Sequence, residues 1–166
     1  MSFINPLSVL LFLSVQSFNL FQMNPDLAKD LSGQYTMLNP SESVQLGTCP
    51  NTFDIELISS AQPDAFILKN RVQYKNFAKS KPRLLPIDGQ IHHMLKDRWV
   101  KAEVTEPNAI KVQVFNKKAP DARLVETFKF EEDGTLIYST DLQSKGQLVA
   151  SLDPICQETR YKKLLN

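Results

Sequence analysis

Val100-Lys101-Ala102-Glu103-Val104-Thr105, then Glu106-Pro107-Asn108, then Ile110-Lys111-Val112-Gln113-Val114: this stretch decides the fold. On either side of the turn, apolar and polar residues alternate with a period of two, the pattern of a strand with one dry and one wet face. The link is short and carries Pro and Asn, so the two runs read as a hairpin. A hairpin with one apolar face must bury that face against something. What covers it depends on how far the same pattern extends.

It extends through most of the chain. Upstream, Thr52-Phe53-Asp54-Ile55-Glu56-Leu57 repeats the alternation. Downstream, residues 124–131 put Phe128 and Phe130 on one face and Thr127 and Lys129 on the other. Glu132-Asp133-Gly134 then leads into the β-forming run 135–140, and an Asp-Gly pair in such a place is a strong hairpin signal. Residues 34–38 form a first strand, 65–69 and 71–77 a pair turning around Asn70, and 148–152 and 157–163 are weaker candidates for closing strands, so that these ten runs stand for about nine expected strands. Helical signal is confined to residues 25–31, worth one or two turns, and to a short helix over 87–96 after Pro86, where Ile91, Met94 and Leu95 share a face. The expected fold is all-β: an antiparallel up-and-down meander closing into an eight- or nine-stranded barrel with one or two short helical turns. Closure also removes exposed edges.

Composition agrees with one ordinary domain. The chain has 166 residues, 42% hydrophobic and 22% charged, with 19 Lys and Arg against 18 Asp and Glu. Such a balance gives no reason to expect nucleic acid. Leu7-Ser8-Val9-Leu10-Leu11-Phe12-Leu13-Ser14-Val15 is too short to span a bilayer, which needs roughly 20 apolar residues, and suits a signal-peptide core. Residues 1–17 are therefore expected to be a signal peptide, and 18–166 a single secreted or periplasmic domain. The competing reading is a buried N-terminal strand or helix. Cys49 and Cys156 fit export if paired, closing a loop worth about 4–5 kcal/mol in the chain-entropy model. Spacing alone leaves open two separate buried thiols.

The segment Asp26-Leu27-Ala28-Lys29-Asp30-Leu31-Ser32-Gly33-Gln34-Tyr35 resembles the entry into the first strand of lipocalins. That family places Gly-x-Trp there, after a short helical turn; Gly33-Gln34-Tyr35 carries Tyr in place of Trp. Thr140-Asp141 matches a Thr-Asp pair of a late inter-strand loop, and Arg160 an Arg that packs across the first-strand aromatic. The chain lacks the family's helix after the barrel, and its cysteines are not placed in the usual pairing, so the resemblance extends to a wider calycin-type barrel. It implies a small apolar or amphipathic ligand and no catalysis.

Phe53, Ile55, Leu57, Val112, Val114, Phe128 and Phe130 point inward under this strand reading, as a filled core or as the wall of a ligand pocket. Residues 65–87 hold Lys69, Arg71, Lys75, Lys79, Lys81 and Arg83 without an acid. This basic loop, with Lys75, Lys79, Lys81 and Arg83 at its centre, could meet an acidic surface or glycan; equally, its lysines could guard a solvated edge strand. Trp99 shares the phase of Lys101 and Glu103, at a rim or capping a strand end. His92-His93 lacks companions for a metal site, and neither a nucleophile motif nor a phosphate loop is present. The sequence thus calls for no enzyme activity, metal or cofactor. Two functions remain: a ligand-binding barrel, or a secreted interaction or inhibitor protein with a filled core acting through its loops.

Overall fold

A computed structural model describes residues 25–38, 49–61, 66–74, 78–145, 147–148 and 156–164. The expected signal peptide and part of the predicted strand 148–152 lie outside these residues. One helix, α1 (Pro25–Leu31), precedes β1 (Gly33–Met37), β2 (Thr52–Ser59), β3 (Phe66–Gln73), β4 (Arg83–Ile87), β5 (Ile91–Leu95), β6 (Arg98–Glu106), β7 (Ala109–Asn116), β8 (Ala119–Phe130), β9 (Thr135–Ser144), β10 (Gln147–Leu148) and β11 (Cys156–Lys163).

Nine strands close into a barrel in the order β1-β2-β3-β4-β6-β7-β8-β9-β11, with β11 pairing back to β1. Every neighbour in this ring is antiparallel except β4 and β6, which run parallel and meet at Ile87 and Ala102. The meander is therefore mixed at one seam. β5 causes it: the chain leaves β4, turns, and pairs antiparallel with the start of β6 before β6 joins the ring. The short β10 hangs on β9.

Three local expectations are corrected. No hairpin turns around Asn70; β3 runs straight through it and pairs with β2 from Phe66 to Gln73. Asn favours turns when its side chain serves nearby backbone, but here the Asn70 side chain is buried and accepts a hydrogen bond from Arg83. The helix expected over 87–96 is instead a turn and a strand. Gly89 takes a positive φ of 69°, the Asp88 carboxylate accepts the Gln90 N–H, and the Gly89 N–H is spent on Ala102 O. Thr140-Asp141 lies within β9 rather than in a loop.

The barrel interior is aromatic. Phe53 is fully buried and meets Tyr138, Tyr161 and Phe128 at ring-centroid distances of 4.7, 5.0 and 5.7 Å. Tyr35 packs on Phe130 at 6.0 Å. Such tilted and edge-on pairs add about 0.5–1.5 kcal/mol each beyond area burial. α1 covers the end of the barrel near Leu57: Ala28 and Leu31 join the core, Tyr35 O–H donates to Leu31 O, and Leu57 N–H donates to Ser32 Oγ. Cys49 and Cys156 form a disulfide across a sequence separation of 107 residues, tying the approach to β2 to the start of β11. Tyr161 O–H reinforces that link by donating to Pro50 O at 2.7 Å.

Candidate functional site

Strand register orders the lumen into levels. Ile110, Phe128 and Tyr138 lie side by side on β7, β8 and β9, all fully or nearly fully buried. One step along, Val112, Glu126 and Thr140 form the next row, also buried. A further step brings Val114, Leu124 and Leu142, which are only half-buried. Burial thus falls off toward this third row, and the charged side chain in the buried second row is Glu126.

Glu126 is met from across the lumen by Arg83 on β4. The contact is bidentate: Arg83 Nη1 donates to Oε2 at 2.8 Å and Nη2 to Oε1 at 3.0 Å. Arg83 Nε donates to Asn70 Oδ1 at 3.0 Å, and Tyr138 O–H donates to Glu126 Oε1 at 2.9 Å. Burial alone would lower the Arg83 pKa, but the Glu126 carboxylate outweighs it and holds the guanidinium above its ordinary value. Tyr138 is pushed well above the ordinary phenol range, first by burial and then by the same carboxylate. Tyr74, beside the cluster, is raised by burial and by Glu126. One donor remains unspent: Asn70 is 1% exposed, and its Nδ2 has no hydrogen-bond partner among the described residues. A buried donor left unpaired costs about 1–3 kcal/mol.

Of the seven residues expected to point inward, Phe53, Ile55, Leu57, Val112, Phe128 and Phe130 are buried in the packed core, and Val114 lies half-buried in the third row. Met94, on the inner face of β5, and Val72 also pack partly against the core. The basic loop is divided by strand phase. Arg83 belongs inside and leaves the loop; it shares the face of Leu85 and Ile87. Lys79 pairs with Asp54, Lys81 is exposed, and Lys75 lies outside the described residues. Glu126 falls outside the residues expected inside, although it sits two and four residues before Phe128 and Phe130: an acid on the dry face of a strand is the signal that marks it.

The expected role of Arg160 is also corrected. Arg160 is on the outer face, paired with Glu131 at 2.8 Å, while Tyr35 is inside. Adjacent strand residues point to opposite faces, and it is Tyr161 that faces inward. His92 and His93 part in the same way. His92 contacts Asp88 at 2.9 Å, whereas His93 lies edge-on to half-buried Trp99 at 5.1 Å. No group of three or more metal-ligating side chains occurs among the described residues. Nor is any described helix long and apolar enough to cross a membrane.

A second concave feature lies on the outer wall. A groove of about 330 Å³ spans β1, β2 and β3, bordered by Gln34, Asp54, Glu56, Lys69, Arg71 and Pro82. Gln34, Asp54 and Arg71 stand directly opposite one another across the three strands. No family model matches this chain, and no curated protein matches its sequence.

Proposed function

We propose that the protein is an exported, non-catalytic barrel that holds a small amphipathic ligand at the half-buried end of its lumen, above Arg83, Glu126 and Asn70. The observation that carries this reading is the ion pair spanning the lumen beside an amide donor, Asn70 Nδ2, that has no hydrogen-bond partner among the described residues. Burying a charge pair costs several kcal/mol per ion, and apolar residues of similar volume commonly serve stability as well or better. A perturbed, desolvated cluster at a cleft is a candidate site on physical grounds. The ligand's apolar part would lie against Val72, Met94, Val114 and Leu124, with a carbonyl or hydroxyl oxygen accepting from Asn70 Nδ2. The disulfide and the apolar run 7–15 support export.

Two measurements test the reading. Protein made in an oxidising compartment is extracted with organic solvent and the extract examined by mass spectrometry for a reproducible small molecule. Purified protein is also titrated with a dansylated eleven-carbon fatty acid. Saturable fluorescence enhancement at one probe per chain, removed by Val114→Trp without loss of thermal stability, is the expected result. An empty extract together with no saturable probe binding would sink the proposal.

A second reading rests on a different observation. Leu84, Ile91 and Leu95 are 61%, 58% and 60% exposed, and β5 bears no Lys or Arg to discourage pairing. In this reading the barrel is a filled scaffold that associates through that row. Sedimentation tests it: concentration-dependent self-association that Leu84→Lys with Leu95→Lys abolishes.

A further inference from the structure

The outer-wall groove is independent of the lumen, and its charges are unevenly spent. Lys69 Nζ pairs with Glu56 at 2.6 Å, directly across β3 and β2. Asp54 stands opposite Arg71, yet its carboxylate is taken by Lys79. Arg71 is consequently left half-buried, its guanidinium without an ion pair or hydrogen bond among the described residues. Counting Lys79 with the lining, three cations face two acids, and the surplus charge is a guanidinium.

We infer that this groove binds an acidic sugar unit, with Arg71 gripping its carboxylate. The chemistry of the lining selects that class. A guanidinium presents a planar fork that matches one carboxylate in two parallel hydrogen bonds. Asp54 and Glu56, each already paired with a lysine, keep lone pairs that accept hydrogen bonds from hydroxyls, and the single surplus cation matches one negative charge, not several. Gln34 offers both a donor and an acceptor beside them, and Pro82 supplies an apolar surface for a ring face. A volume of about 330 Å³ is at the lower end of small-molecule sites and suits one or two sugar rings. One net positive charge, several hydroxyl partners and one apolar wall together describe a polyhydroxylated monoanion.

The test is a titration of isotopically labelled protein followed by amide NMR. Sodium D-glucuronate is the probe, with D-glucose and sodium sulfate as controls at matched ionic strength. Glucuronate is expected to shift the Gln34, Asp54 and Arg71 amides saturably at millimolar concentrations, with smaller responses to glucose and sulfate. Arg71→Gln should weaken the interaction about tenfold or more, and Arg71→Lys should fall between, since it keeps the charge but loses the fork. The site is on the outer face, so both variants keep the core. Absence of glucuronate shifts at these amides overturns the inference. So does an unchanged affinity in Arg71→Gln, or an equal response to sulfate or to glucose.

Discussion

Glu126 and Arg83 show how much depends on single residues in a closed lumen. Removing one partner of a buried pair leaves the other charge unpaired, at a cost of about 3–5 kcal/mol. Glu126→Gln should therefore lower the urea-unfolding free energy by about 3 kcal/mol, toward the smaller figure because Arg83 retains 28% side-chain exposure. Arg83→Met with Glu126→Leu should recover most of that loss. A double variant as unstable as the single one would show that the pair itself holds the barrel together. The tyrosines set a second prediction, on the alkaline side. Burial pushes Tyr35 up to about 12, and Tyr138 and Tyr161 are also raised by burial. A phenol that holds its proton more tightly when folded adds stability that is complete below pH 10 and declines as pH rises through the folded value. Each contributes a slope of about 1.4 kcal/mol per pH unit while only the unfolded form is ionised, so the three together give about 4. Absorbance at 295 nm should show tyrosinate forming together with loss of far-ultraviolet dichroism; free titration near pH 10 with the fold intact would refute it. Both clusters were half-legible. Periodicity placed Phe53, Phe128 and Phe130 inside, but it ranks Arg83 by its charge and its basic neighbours, and only the phase shared with Leu85 and Ile87 reveals its direction.

Elements read well wherever alternation was unbroken and poorly wherever one residue type carried two meanings. β2, β6, β7, β8 and β9 each present a dry face that locates them, although β8 begins at Ala119 and β9 runs on to Ser144, beyond the expected runs 124–131 and 135–140. β3 reads from sequence as two pieces because Asn70 is a turn-former by type, yet the strand runs unbroken with Asn70 buried in the core. The sequence of β5 also fits a helix, because Ile91, Met94 and Leu95 share a helical face; as a strand, Ile91 and Leu95 point out while Met94 packs inward. Asp88-Gly89 was the available stop signal, being a turn pair directly before the run. The Asp133-Gly134 pair, by contrast, does link β8 and β9 as its composition implies, and it gives a prediction at this scale. Gly134 holds φ at 81°, and nothing lies within 4 Å of a Cβ placed there. Gly134→Ala should therefore cost about 1–2 kcal/mol through backbone conformation alone, without a steric clash. The measurement is thermal unfolding with a crystal structure of the variant. A loss under a few tenths of a kcal/mol would mean that the β8–β9 link relaxes its dihedral instead of bearing strain.

At the level of the molecule, the barrel is closed by its terminal elements: β1 and β11 pair with each other, although they lie at opposite ends of the described chain. Local hairpins can form from β6 to β9 without help, but the final seam must be brought together over the whole length of the domain, and the entropy of that loop is the obstacle. The Cys49–Cys156 disulfide acts on the same seam, because it joins the approach to β2 with the start of β11. In the chain-entropy model a loop of 107 residues is worth about 4–5 kcal/mol, drawn from the unfolded state and not from native contacts. Cys49→Ser with Cys156→Ser should accordingly lower stability by about that amount and leave the amide spectrum of the folded barrel nearly unchanged outside the bridge. Because β11 also pairs with β9 and buries Tyr161 against Phe53, the reduced protein should still unfold in one cooperative transition. Urea denaturation followed by both tryptophan fluorescence and dichroism decides the matter. Trp99 reports on β6, far in sequence from the seam, so two separated transitions would mean that β1 and β11 leave an otherwise intact sheet, and that the bridge closes the barrel instead of merely restraining its unfolded chain.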